Sequence, residues 1–220
     1  MRLLGRIKIH QFKNWGHQMK KLACTLLLLT SAFVQAGFDE GLAAADKGDY
    51  QTAFKEWKPL AEQGYASAQF NLGIMYDNGQ GIAQNYTQAL YWYNKAAAQG
   101  YASAQYNLAL MYSNGRGVPQ NYTQAVTWYK KAAEQGHVDA QSNLGGMYAM
   151  GKGIPQNYKI AYILVNLAAS NGDADATQNR DIAAAKLSPA AVADAQRISM
   201  QLHNSKNFAA DLRNFLNSQK

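Results

Sequence analysis

The chain has 220 residues, with 21 Lys and Arg against 14 Asp and Glu, a formal charge of +7 and a single cysteine. The excess charge sits in residues 1–36, which hold six Lys and Arg and no acid, so the rest of the chain is nearly neutral. A phosphate-binding footprint is absent from that body, which excludes a nucleic acid as partner; the lone cysteine excludes a disulfide framework.

Residues 1–36 have the layout of an export leader. Met19-Lys20-Lys21 is a basic n-region and Leu22 to Val34 an apolar h-region. Val34-Gln35-Ala36 places small residues where a signal peptidase reads, which predicts cleavage before Gly37. The h-region is shorter than the roughly 20 residues of a spanning helix. No stable membrane anchor is expected once it is removed, and the expected location is periplasmic or secreted. Residues 1–18 are long for an n-region, and Met19 is the expected translation start. Cys24 falls inside the leader, so the mature chain is expected to lack thiolate chemistry altogether.

From Phe38 the pattern becomes helical. Phe38 to Lys47 and Tyr50 to Gln63 predict a hairpin, with Gly48-Asp49-Tyr50 as its turn and Ala53 and Trp57 on its inner stripe. This pair, within residues 37–63, is expected to cap the N-terminal end of a stack. A repeat with a period of 36 residues then begins: Gly64 to Tyr76 returns as Gly100 to Tyr112 and, worn, as Gly136 to Tyr148. Periods of this size mark stacked supersecondary units, here 64–99, 100–135 and 136–171.

Each unit splits in two. Ala68, Leu72, Met75 and Tyr76 form one stripe of a 3.6-residue period, and Gly73 or Ala109 beside it lets a neighbouring helix approach. A Gly-x-Gly break comes next, at Gly79-Gln80-Gly81, Gly115-Arg116-Gly117 and Gly151-Lys152-Gly153. The second helix opens at Asn85, Asn121 and Asn157, which suit an N-cap. Gln88 and Gln124, three residues on, predict a capping box. Its stripe is Ala89, Trp92, Tyr93, Ala96 and Ala97 in the first copy. The Trp series (Trp57, Trp92, Trp128) and the Tyr series (Tyr76, Tyr112, Tyr148) recur in register and are expected in the core. Residues 172–203 predict a closing helix pair, its second member starting at Ser188-Pro189. The tail 204–220 is polar, with a short apolar stripe through Phe208, Leu212 and Phe215.

The run Ala68 to Tyr76, the Gly-x-Gly turns and Asn85 to Ala97 resemble the Sel-1-like repeat family, a branch of the tetratricopeptide-type solenoids. The likeness covers about residues 39–203. It implies an all-α fold, a right-handed α-solenoid of stacked antiparallel helix pairs. It also implies a scaffold or adaptor that binds a peptide or protein partner. Repeat stacks seldom catalyse, and no enzymatic activity and no cofactor are expected.

In such stacks the first helix of each pair lines the concave wall. At 100° per residue, the face opposite the core stripe carries Ser67, Phe70, Ile74 and Asp77, then Ser103, Tyr106, Leu110 and Ser113, then Asp139 and Ser142, with Gly146 and Ala149 after them. Asn71, Asn107 and Asn143 border it. Phe70, Ile74, Tyr106 and Leu110 would expose a contiguous apolar stripe, the usual mark of a contact surface.

Enzyme signatures are missing. The Gly-x-Gly turns lack the Lys-Ser/Thr sequel of a phosphate loop. His137 and His203 stand far apart, and Asp173, Asp175 and Asp181 gather near a helix start, where they favour the macrodipole. Three uses remain to compare: an exported interaction module, an immunity or inhibitor protein directed at a secreted effector, and an enzyme acting on cell-wall or β-lactam compounds. The last resembles a branch of the family stapled by paired cysteines, which this chain does not have.

Overall fold

The computed structural model describes residues 34–218. The expected leader therefore lies, except for residues 34–36, outside the described residues. Those described are all-α, and the chain divides into two compact units, one ending at Gln99 and the other beginning at Gly100.

The first unit holds α1 (residues 34–46), α2 (Tyr50–Gln63), α3 (Ala66–Asn78) and α4 (Tyr86–Ala98). Its core gathers Ala53, Trp57, Leu60, Ala68, Leu72, Met75 and Trp92. Small residues decide the approach distances. A Cβ on Gly41 would stand 2.2 Å from the Trp57 ring nitrogen, and one on Gly73 would stand 2.5 Å from the Tyr93 ring. Each glycine thus receives an aromatic face from the paired helix, and this close packing outweighs the roughly 1 kcal/mol helix cost of glycine. Trp57 also donates its indole N–H to the Phe38 carbonyl at 3.2 Å.

The second unit holds α5 (Ala102–Asn114), α6 (Tyr122–Glu134), α7 (Val138–Met150), α8 (Tyr158–Ser170), α9 (Ala174–Ala184), α10 (Pro189–His203) and α11 (Phe208–Ser218). Helix α8 is buried almost all round, through Ile160, Ile163, Leu164 and Leu167, because α7, α9 and α10 surround it. Helix α11 buries Leu212 and Leu216 in the same core, and its Arg213 pairs with Glu134 of α6 at 2.7 Å. Ser188 caps α10, with Pro189 in its first turn.

The second helix of each repeat starts as its asparagine dictates. Asn85, Asn121 and Asn157 accept from the backbone N–H three residues on, each at 3.0 Å. The capping box does not close, however. The Asn85 N–H instead reaches back to the Tyr76 carbonyl at 2.8 Å, and Gln84 donates its side-chain amide to the Asp77 carbonyl at 2.7 Å. These two bonds fold the Gly-x-Gly turn onto the end of the first helix. Gln120 and Gln156 repeat the arrangement on Ser113 and Ala149.

Of the aromatic series, Trp57, Trp92 and Tyr148 are buried, whereas Tyr76, Tyr112 and Trp128 are half-buried at the core's edge. Tyr93 and Tyr129 are buried more deeply than any of the last three.

Buried glutamines tie successive hairpins. Gln69 of α3 donates to the Ala61 carbonyl of α2 at 3.0 Å and accepts from Gln99 at 2.8 Å. Gln141 of α7 likewise donates to the Ala133 carbonyl of α6 at 3.3 Å. Gln135 donates to Gln105 as Gln99 does to Gln69. In the third repeat the counterpart of Gln99 is Asn171, one methylene shorter. Asn171 turns to the Leu167 carbonyl at 2.8 Å, and the buried Gln141 Oε1 has no hydrogen-bond partner among the described residues. Asn171→Gln is therefore expected to raise stability by about 0.5–1.5 kcal/mol, the worth of one satisfied buried acceptor. Urea denaturation of the two proteins checks this; an unchanged or lowered midpoint would show that the longer amide does not reach Gln141.

Candidate partner-binding surface

The wall residues lie on α3, α5 and α7. In the first unit Ser67, Phe70, Asn71 and Ile74 are half-buried. Phe70 leans its ring on Tyr93, centroids 6.0 Å apart. Asp77 departs from the expected exposed position: only 8 % of its surface is exposed. It sits in the last turn of α3, where the Tyr93 hydroxyl comes within 3.5 Å of its carboxylate, and the Gly-x-Gly turn folds over that end.

In the second unit Ser103, Tyr106, Asn107, Leu110 and Ser113 on α5 are half-buried, as are Ser142 and Asn143 on α7, while Asp139 is exposed. The Tyr106 ring stands 6.0 Å from Tyr129 and stacks on His137 at 4.7 Å. Asn143 donates to the Tyr106 hydroxyl at 3.3 Å. The apolar stripe projected from the sequence is thus only half open, because each aromatic lies down over the helix paired with its own. The large apolar side chains that do stand out, Tyr91, Met150, Ile182 and Met200 among them, are others.

Five of the wall residues converge. Ser113, Ser142, Asn143, Gly146 and Ala149 line one pocket of about 510 Å³, within the roughly 300–1,000 Å³ of ligand sites. Its cause is legible in the repeat. Positions filled by Tyr106 and Leu110 in one copy are Ser142 and Gly146 in the next, 36 residues on. A Cβ on Gly146 would meet nothing closer than the tip of Met150, at 3.8 Å. Two bulky side chains are missing from a framework that is otherwise repeated. Helix α9 adds Asn179 and Ile182 as the far wall. Ser103, Asn107 and Asp139 do not line this pocket.

The surroundings are electrically quiet. Burial pushes the phenols of Tyr106 and Tyr129 up, and that of Tyr148 to about 12, so all three stay protonated. Burial also holds His137 below the usual imidazole range, against the opposing pull of Asp139. His137 instead accepts from the Ala140 N–H at 3.4 Å and caps α7. Lys152 is the one charged residue of the pocket lining. Among the described residues no group of three His, Cys, Asp or Glu is placed to hold a metal ion.

The depressed His137 fixes a pH dependence. The folded protein binds its proton less readily than the unfolded chain does, so the stabilising contribution is whole above the unfolded pKa of about 6.5 and declines as pH falls below that value. His137→Asn, which keeps a capping side chain, is expected to flatten the fall in melting temperature between about pH 6.5 and 5. A slope identical to that of the unaltered protein would assign the acid sensitivity to other groups.

The Sel1 repeat profile matches residues 66–101, 102–137 and 138–173 in three consecutive copies. A Sel1 repeat protein from Oxalobacter formigenes is 36 % identical over 59 % of this chain and 97 % of its own, with a TM-score of 0.55. The chain belongs to the Sel1 repeat family. A protective antigen of uropathogenic Escherichia coli, described as displaying an SLR fold, is 26 % identical over 86 % of this chain and 48 % of its own, with a TM-score of 0.57. Helicobacter pylori cysteine rich protein B is 23 % identical over 58 % of this chain and 95 % of its own, with a TM-score of 0.48. No curated protein matches the chain. The paired helices are those of the Sel1 solenoid, and Sel1 repeats generally serve as protein-interaction scaffolds, typically without catalysis. No helix among the described residues is long and apolar enough to cross a membrane.

The tying residues Gln69, Gln84, Gln99 and their counterparts escape a reading of local spacing. The signal that could find them is their recurrence: Gln84, Gln120 and Gln156 each stand before the capping asparagine. Recurring polar residues on a helix pair that must stack have backbone groups to satisfy.

Proposed function

We propose that this Sel1 repeat protein is an exported scaffold that holds a peptide or protein partner against the wall formed by the first helices of its repeats. The observation that carries this is the pocket beside α7, where apolar walls and an unengaged amide meet on the face that the repeat pattern assigns to a partner. The leader pattern of residues 19–36 supports export, with the mature chain starting at Gly37. An inhibitory role against a secreted effector is a special case of the same surface, decided by the identity of the partner.

The test is photo-crosslinking in the native cell. A crosslinker at Asn107 or Asp139, on the wall but outside the pocket, is expected to yield a discrete adduct that mass spectrometry identifies. The same group at Thr127, exposed on α6, is expected to yield none. No adduct at either wall position, or the same adducts at all three, refutes the reading. N-terminal sequencing of the protein from the cell envelope is expected to begin at Gly37.

A further inference from the structure

The pocket of the third repeat has a template elsewhere in the same unit. Tyr106 is held by three groups: the Tyr129 ring, the His137 ring and the Asn143 amide on its hydroxyl. Thirty-six residues on, the residue at the tyrosine position is Ser142, and the counterparts of Tyr129, His137 and Asn143 are Val165, Asp173 and Asn179. Val165 and Asn179 line the pocket, while Asp173 caps α9, so of the three holding groups the amide is the one retained. Asn179 is exposed and makes no side-chain hydrogen bond among the described residues, whereas Asn143 is occupied by Tyr106. Val165 packs over Gly145 as Tyr93 packs over Gly73, since a Cβ on Gly145 would lie 2.6 Å from a Val165 methyl. The helix frame is therefore kept while the side chain that fills it is lost.

We infer that this pocket is a socket for a tyrosine side chain supplied by the partner, its ring entering the space vacated at Ser142 and Gly146 and its hydroxyl accepting from the Asn179 amide. This rests on the reading that the wall receives a peptide. Ser142 and Gly146 leave more room than one ring needs, so the backbone on either side of the tyrosine enters with it. Lys152, over the Tyr122 ring at 5.4 Å, has no ion pair among the described residues and is the only charge in the lining. It favours an acidic residue next to the tyrosine.

The guest resembles a residue the chain already uses. A protonated phenol has an apolar body and one polar tip, which matches a pocket whose near walls are Met147, Ala161 and Val165 and whose far wall carries an amide. A phenylalanine side chain would fill the same space but leave Asn179 unanswered. An aliphatic side chain would forgo both the flat contact and the tip.

The experiment is an NMR titration of the full ¹⁵N-labelled protein with the capped peptide acetyl-Glu-Tyr-Gly-amide. Its Phe and Ala counterparts are run in parallel, as is the peptide with Gln for Glu. The Tyr peptide is expected to saturate at about 1–5 mM, well inside the affinity ceiling for a probe of that size. Its largest shifts are expected at Ser142, Gly146 and the Asn179 side chain. The Phe peptide should bind about fivefold more weakly, the worth of one hydrogen bond, and the Ala peptide should not saturate. Replacing Glu by Gln should weaken binding, and added salt should weaken the Glu peptide selectively.

Two variants fix the location. Asn179→Ala should bind the Tyr and Phe peptides equally. Ser142→Tyr with Gly146→Leu, which restores the pattern of the preceding copy, should keep or raise the melting temperature and abolish binding. No saturable shift with the Tyr peptide, equal binding of the Ala peptide, equal binding of Tyr and Phe by the unaltered protein, or undiminished binding by the filled variant would each overturn the socket. These outcomes are separate from the crosslinking result: an adduct at Asn107 without peptide binding leaves the scaffold standing and removes the socket, and peptide binding without an adduct removes the scaffold, and with it the partner the socket is assigned to, while the tyrosine affinity of the pocket stands.

Discussion

Gly153→Ala is expected to lower the melting temperature by roughly 5–15 °C, corresponding to about 2–5 kcal/mol. Two costs combine. Gly153 has φ +71°, where an alanine loses about 1–2 kcal/mol. The added Cβ would also stand 2.4 Å from the Tyr122 carbonyl carbon and 2.7 Å from the Thr123 nitrogen. Those are backbone atoms at the start of α6, and they cannot swing aside as a side chain can. Overpacking of this kind costs about 1–3 kcal/mol. The turn between α7 and α8 thus rests directly on the first turn of the preceding second helix. Gly81 repeats the contact in the first unit, against Tyr50 at the start of α2. Gly136→Ala separates the two costs, since Gly136 has φ +83° with no atom within 4 Å of a Cβ. It is expected to lose about 1–2 kcal/mol only. Equal urea midpoints for the two variants would show that the turn does not bear on α6.

Trp92→Ala is expected to cost about 3–5 kcal/mol, the range for emptying a large aromatic from a core. Trp92 is 7 % exposed and belongs to the cluster that joins α2, α3 and α4. In a stack where each hairpin leans on its neighbours, the loss spreads to adjacent helices before it is shared further. Hydrogen exchange is expected to quicken first in residues 50–98, and circular dichroism should show an earlier, broader melt. Trp92→Phe should be far milder. Its ring fills much of the space, and the buried Trp92 indole N–H has no hydrogen-bond partner among the described residues, so its removal costs nothing in bonding. A Trp92→Ala protein with an unchanged melting temperature would remove Trp92 from the core.

The repeat, the helix pairs and the capping asparagines could be read directly from the sequence, because period and cap chemistry are local properties. The placement of Asp77 could not be. A helical projection gives the face a residue points from, but not what is folded over it, and the hydroxyl that reaches Asp77 comes from Tyr93, a full helix away. Gly153 was legible as a turn glycine, yet its contact with Tyr122 joins segments 31 residues apart and leaves no mark in local spacing. The pocket lies between these cases. Ser142 and Gly146 were on the projected wall, but their meaning is a subtraction relative to Tyr106 and Leu110, visible only when neighbouring side chains outline the gap. The half-burial of Phe70 and Tyr106 has the same origin: the aromatic partner sits on the adjoining helix.

The amide ties at Ala61 and Ala133 make two fittings of one pattern. Each offers a helix-end carbonyl to a glutamine on the next hairpin, at matching positions of a 36-residue module. A module excised at one fitting would meet the same mate at the other. Such a gene can lengthen or shorten by whole modules through unequal recombination without exposing an unmatched end, and one module can diverge, as the third has done, while the others keep the register.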